Sequence, residues 1–167
     1  MIFGIEGAPG AGKSTVIKQL NYPSVPEMLV TPEQEAVFTD TDYLDHENRK
    51  YELARSLGER GVCLLDRTRL SYHAFRFGDG EINDDDMPVP YHQENMHYIY
   101  LSVPPELSLE RRLPGHWVPT VDFTKRIIDF YETQLDAMGK HATRVDATQS
   151  PDDVALTIDD IIKQLQK

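Results

Sequence analysis

Apolar and polar positions along this chain follow two alternating periods. IFGIE (residues 2–6), GVCLLD (61–66) and HYIYLSV (97–103) are short apolar runs of strand length, while SVPEMLV (24–30) is a weaker run and TRVDA (143–147) a short one. Between them lie stretches with helical spacing: one from Lys13, then ENRKYELARSLGER, LSYHAF, a segment around PELSLERR, and DFTKRIIDFYETQL. A last helix carries a one-sided stripe of Val154, Ile158, Ile161, Ile162 and Leu165. Five strands interleaved with helices predict an α/β fold, a parallel sheet covered by helices on both faces.

Two segments break the rhythm. GDGEINDDDMPVP (78–90) is acidic with two prolines and lacks the alternating ligands and closing glutamate of a calcium loop, so it reads as a solvated surface loop. LPGHWVPT (113–120) separates two helices. A length of 167 residues predicts one domain spanning 1–167. The formal charge of -11, from 28 acidic against 17 basic residues, argues against an extended nucleic-acid surface and for a small-molecule ligand. Cys63 stands alone inside an apolar run, which excludes an internal disulfide and fits a reducing cytoplasm. No stretch approaches the roughly 20 apolar residues of a membrane helix, and no targeting segment is expected.

The chemistry starts at GAPGAGKST. Gly7, Ala8, Pro9, Gly10, Ala11, Gly12, Lys13, Ser14 and Thr15 contain G-x-x-x-x-G-K-[ST] in full, directly after one strand and directly before one helix. Glycines let the backbone turn tightly and aim N–H groups inward, so phosphates are held without large side chains. Lys13 would reach the outer phosphates of ATP, and the Ser14 hydroxyl would bind Mg2+. At the end of the third strand the chain reads CLLDRTRLSYHAFRFG. A carboxylate at the carboxyl end of such a strand lies where ligands bind in open parallel sheets, so Asp66 is a candidate for the metal or for a proton. Arg67 can clamp a phosphate with a forked geometry.

These residues resemble a known family. IEGAPGAGKST is similar to the start of thymidylate kinases and deoxynucleoside kinases, and DRTRLSYHAF resembles their D-R-x-x-x-S-x-x-A-aromatic pattern, with Asp66, Arg67, Ser71, Ala74 and Phe75 in place. YIYLSVPPELSLERR looks like the fourth strand and the helix leading to the lid, and VDATQSPDDVALTIDDII like the last strand and helix, whose connecting loop lies beside the nucleotide base. The resemblance implies the three-layer P-loop NTPase fold and a lid at about 111–121. Where thymidylate kinases carry Arg-Glu-Pro, this chain has VPEMLV, and VPE resembles the deoxynucleoside kinase segment whose glutamate takes the substrate proton. Glu27 is therefore a base candidate, against the alternative of a plain loop glutamate. Arg76 stands where thymidylate kinases tend to place a glutamine against the base.

The lid has to supply cations to the transferring phosphoryl group, and ERRLPGHW offers Arg111 and Arg112, with Lys125 and Arg126 in reserve. His116 and Trp117 read as packing residues. The activity expected is ATP-dependent phosphoryl transfer to a small acceptor, a (deoxy)nucleoside or nucleoside monophosphate. Another metabolite, a polynucleotide hydroxyl, or a nucleotide-hydrolysing switch are the alternatives. FTKRI lacks the aspartate of a guanine-reading segment, which counts against the switch. No membrane partner is expected, and a homodimer is left open.

Overall fold

The structure is a computed structural model and describes residues 1–27, 31, 33, 37–59, 61–83, 96–111 and 119–167. The five apolar runs form β1 (Ile2–Glu6), β2 (Ser24–Val25), β3 (Cys63–Asp66), β4 (Met96–Ser102) and β5 (Ala142–Asp146). All pair in parallel, in the order β2-β3-β1-β4-β5. Ile5 of the central strand is in register with Asp66 of its neighbour. The phosphate loop after β1 and the Asp-Arg pair after β3 therefore leave the sheet side by side at its carboxyl edge, where ligands of such folds bind.

The strands read as near-continuous apolar runs because both faces are covered. Along β4, Met96, Tyr98 and Tyr100 enter one core cluster, and Ile99 and Leu101 enter the other. The first face is covered by α2 (Asp40–Gly58), α3 (Arg69–Gly78) and α5 (Val121–Met138), the second by α1 (Lys13–Gln19) and α6 (Pro151–Leu165); the short α4 (Pro105–Glu110) follows β4. Each fully buried Leu, Ile or Phe in these layers contributes about 1.5–3 kcal/mol. Three layers around a five-stranded parallel sheet agree with the expected fold class.

Some expectations need correction. The helix read from Glu47 starts at Asp40, because Thr39 and Asp42 form a reciprocal capping box in which each side chain accepts the other's backbone N–H. In α6 the core residues are Val154, Ala155, Ile158 and Ile162, whereas Leu165 in the last turn, with neighbours on one side only, stays 40% exposed. The acidic stretch from residue 78 is more than a solvated face, since Glu81 pairs with Arg76 at 2.8 Å and both line a cavity. Residues 84–90 of that stretch lie outside the described residues, as do Arg112, His116 and Trp117 and most of the expected lid.

Candidate active site

The phosphate loop is shaped by backbone conformations that side chains rarely adopt. Gly7 has φ +149°, and a Cβ there would lie 2.9 Å from the Leu101 carbonyl oxygen. Gly12 has φ +92° with open space around it, so conformation alone demands glycine there. Ser108 of α4 anchors the loop from the far side by donating its hydroxyl to the Pro9 carbonyl at 2.5 Å. Lys13 is buried and curls back over the loop, Nζ donating to the carbonyls of Gly7 (2.9 Å) and Ala8 (3.1 Å). Burial, and after it the Arg67 charge, lower its pKa to about 7, against the pull of Glu27, Asp66 and Glu6. Two buried cations side by side make a place that an anion would relieve.

The end of β3 meets this loop. Ser14 Oγ donates to Asp66 Oδ2 at 2.9 Å, while Oδ1 of the same carboxylate is buried without a hydrogen-bond partner. An orphaned carboxylate oxygen beside a loop hydroxyl fits Mg2+, which takes few protein oxygens and fills its shell with water and substrate phosphates. Among the described residues there is no group of three or more His, Cys, Asp or Glu side chains that could hold a metal without such help.

Arg67 is the residue on which the parts converge. Its backbone is left-handed, with φ +60°, the only positive φ among the described non-glycine residues. That turn sends the guanidinium back under the loop, where Nη1 donates to the Gly7 carbonyl and to Ser71 Oγ, each at 3.2 Å. Nε is 2.5 Å from Glu27 Oε1, and the guanidinium carbon stands 5.0 Å from the centre of the Phe75 ring. Below it lies Glu6, fully buried, whose carboxylate accepts from Thr68 N (2.7 Å), Thr68 Oγ1 (2.6 Å), Ser71 Oγ (2.5 Å) and Tyr131 OH (2.9 Å). Four donors on one carboxylate satisfy a charge that burial would otherwise make costly.

Two cavities meet at this point. The larger, about 950 Å³, runs from the phosphate loop to Gln149, Pro151 and Val154 after β5. The smaller, about 370 Å³, has aromatic walls of Phe38, Tyr43, Tyr72 and Phe75. Glu27, Arg67 and Phe75 line both. Five carboxylates (Glu27, Asp40, Glu47, Asp79, Glu81) and two arginines (Arg67, Arg76) face the smaller one. Arg76 is already matched, by Asp40 at 3.1 Å and Glu81 at 2.8 Å.

Lys13, Ser14, Asp66, Arg67 and Glu27 thus come together, as does the whole of Gly7–Thr15. Arg111 lines the larger cavity with its guanidinium on the carbonyls of Ala147 (2.6 Å) and Thr148 (3.3 Å) after β5. Lys125 and Arg126 line neither cavity; Arg126 is spent on the Phe77 carbonyl at 2.9 Å and on its ring. Sequence reasoning gave no role to Glu6, Lys50, Phe38, Tyr43 or Tyr72, while Phe75 stood in the family pattern. Lys50 carried a signal: His46, Lys50, Ala54 and Gly58 recur every four residues along the buried side of α2, an unusual place for a charge.

A phosphate loop at the edge of this sheet, facing a second cavity across a strand-end Asp-Arg pair, defines a protein with the P-loop kinase fold. A deoxyadenosine kinase from M. mycoides with bound dATP shares it, with 18% identity, a TM-score of 0.70, and coverage of 98% of this chain and 100% of that one. So does the M. mycoides deoxyadenosine kinase with the products dCMP and a flexible dCDP bound, at 18% identity and a TM-score of 0.63 over 99% of this chain and all of the other. No family model and no curated protein matches the sequence.

Proposed function

We propose that the chain is a kinase that transfers the terminal phosphoryl group of ATP to a hydroxyl of a deoxynucleoside. The observation that carries this reading is the position of Glu27, on the boundary of the two cavities and ion-paired to Arg67 at 2.5 Å. A carboxylate there suits a neutral hydroxyl that must lose a proton, and it would repel an acceptor that brings its own phosphate. The smaller cavity has the volume of a small-ligand site, with aromatic side chains among its polar lining. The excess of carboxylates over arginines in it favours the nucleoside over the monophosphate. The folds of the M. mycoides deoxyadenosine kinase structures support a deoxynucleoside as acceptor.

In this reading ATP lies in the larger cavity, with its outer phosphates on the backbone of Gly7–Thr15 and on Lys13, and its base toward Gln149 and Pro151. Ser14 and Asp66 would hold Mg2+, which supplies charge neutralisation to the phosphates when bound. The acceptor hydroxyl gives its proton to Glu27 as its oxygen bonds to the terminal phosphorus. The bond from that phosphorus to the bridging oxygen breaks, and ADP leaves with the electron pair. Arg67 orients Glu27 through Nε and offers a permanent cation to the equatorial oxygens. Positioning and fixed charge do most of this work.

The test offers γ-labelled ATP to nucleosides, nucleoside monophosphates, unrelated hydroxylated metabolites and oligonucleotide ends. Label is expected on a deoxynucleoside, with little release of inorganic phosphate in the absence of acceptor. Label confined to another acceptor class, or to inorganic phosphate, would overturn the proposal.

A further inference from the structure

Lys50 lies outside the transfer chemistry and is among the most deeply buried side chains, with no exposed surface. An ammonium group has three donors and no acceptor, so burial demands three partners. Lys50 has them. Nζ donates to Glu47 Oε1 at 2.9 Å, to the Asp66 carbonyl at 3.1 Å and to the Arg67 carbonyl at 3.2 Å. Two of these are consecutive carbonyls at the end of β3, on either side of the left-handed turn that aims Arg67. The third, Glu47, lines the smaller cavity from α2.

A left-handed backbone at a residue with a side chain is strained and persists only where the surroundings hold it. From the other side, Arg67 N donates to the Ile5 carbonyl at 3.1 Å and Thr68 N to Glu6 at 2.7 Å. Those bonds fix the amides of the turn, and Lys50 fixes its carbonyls. A hydrophobic residue of the same length would fill the space and leave both carbonyls without their donor.

We propose that Lys50 is the positioning residue of this site, holding the Asp66–Arg67 turn and the Glu47 wall of the smaller cavity as one rigid unit. It touches no reacting atom. Its effect reaches the chemistry through the direction of Arg67, and through Arg67 the seat of Glu27. Arginine at this position would keep the charge but not the point-like fit to three converging oxygens.

The experiment replaces Lys50 by Met and follows hydrogen exchange at single amides together with steady-state transfer. Exchange at Arg67 and Thr68 should accelerate by about tenfold or more, as for a lost buried hydrogen bond, while Ile99 in β4 keeps its protection. For transfer, kcat should fall by at least about tenfold with KM for ATP nearly constant. Uniform acceleration at all three amides, or no local change, would overturn the proposal. The kinetic arm rests on the kinase reading and the exchange arm does not. If no acceptor is found for the parent protein, exchange alone still decides the role of Lys50. Should Lys50→Met fail to fold, Glu47→Gln decides it, since removing the charge that seats the lysine should loosen the same two amides and leave Ile99 unchanged; equal protection to the parent would overturn the idea.

Discussion

The two cavities that meet at Glu27 are built on opposite principles. The phosphate side is one continuous stretch, Gly7–Thr15, in which glycine conformations and backbone groups form the cradle and Lys13 completes it. The other side is assembled from side chains between Glu27 and Glu81, carried by the segment after β2, α2, β3 and α3. Backbone recognises phosphate, which every nucleotide shares, whereas side chains have to recognise whatever distinguishes one acceptor from another. In the proposed reading the donor half is therefore general, and specificity resides in the acceptor half.

Substitutions can separate the halves. The largest effect is expected at their boundary: Glu27→Gln should lower kcat by about 10²–10⁴-fold, the usual contribution of a positioned base, with both KM values nearly unchanged. Steady-state kinetics on both substrates checks this, and a loss confined to KM for ATP would move Glu27 to the donor half.

Lys13→Ala comes next, at about 2.7–4 kcal/mol of transition-state stabilisation, or roughly 10²–10³-fold in kcat. This residue also ties function to stability. Its folded-state pKa of about 7 lies below the unfolded value of 10.5, so between these values the unfolded chain binds the extra proton and stability contributed by Lys13 rises with pH. Below about pH 7 both states are protonated and the cost of the buried charge is fully present. Lys13→Met should then raise Tm of the nucleotide-free protein most at low pH, with the gain shrinking as pH climbs from 7 toward 10.5. Calorimetry at pH 6 and pH 9 measures the difference, and a gain that grows with pH would contradict the assignment.

Smaller still, Arg76→Ala should raise KM for the acceptor by about three- to tenfold and leave KM for ATP alone, a modest figure because its pairs with Asp40 and Glu81 are partly exposed. At the bottom of the scale stands Tyr22→Phe. Tyr22 OH bonds Asp159 at 2.6 Å and ties the end of α1 to α6, so its loss should cost no more than about 1 kcal/mol in denaturant unfolding and change neither KM.

The same contrast explains what could be read from the sequence. The phosphate loop was legible because its requirements are local: positive φ at glycines, a strand before, a helix after. Asp66 and Arg67 were legible because a strand end in a parallel sheet is a predictable place. Glu27 could be named from its resemblance to a kinase segment, while its pairing with Arg67 across 40 residues could not. The walls were hidden for the same reason, since Phe38, Tyr72 and Glu81 become neighbours only when α2 and α3 cover one face of the sheet. Glu6 closes the run IFGIE, and nothing in IFGIEG announces that Thr68, Ser71 and Tyr131 will converge on it. Arg126, a reserve cation near the lid in sequence, turns toward Phe77 instead, a contact that sequence proximity does not reveal.

The central claim is that the acceptor half is made for a neutral hydroxyl. It is tested most directly by placing a deoxynucleoside and its own 5′-monophosphate at equal concentrations in one reaction with limiting γ-labelled ATP and measuring, at low conversion, the ratio of labelled monophosphate to labelled diphosphate, which equals the ratio of their kcat/KM values. Repulsion between one phosphate charge and one carboxylate in excess of the cations around this cavity, about 4 kcal/mol at 4 Å near a protein surface, predicts a preference for the nucleoside of at least about a hundredfold. A ratio near one, or a preference for the monophosphate, would contradict it.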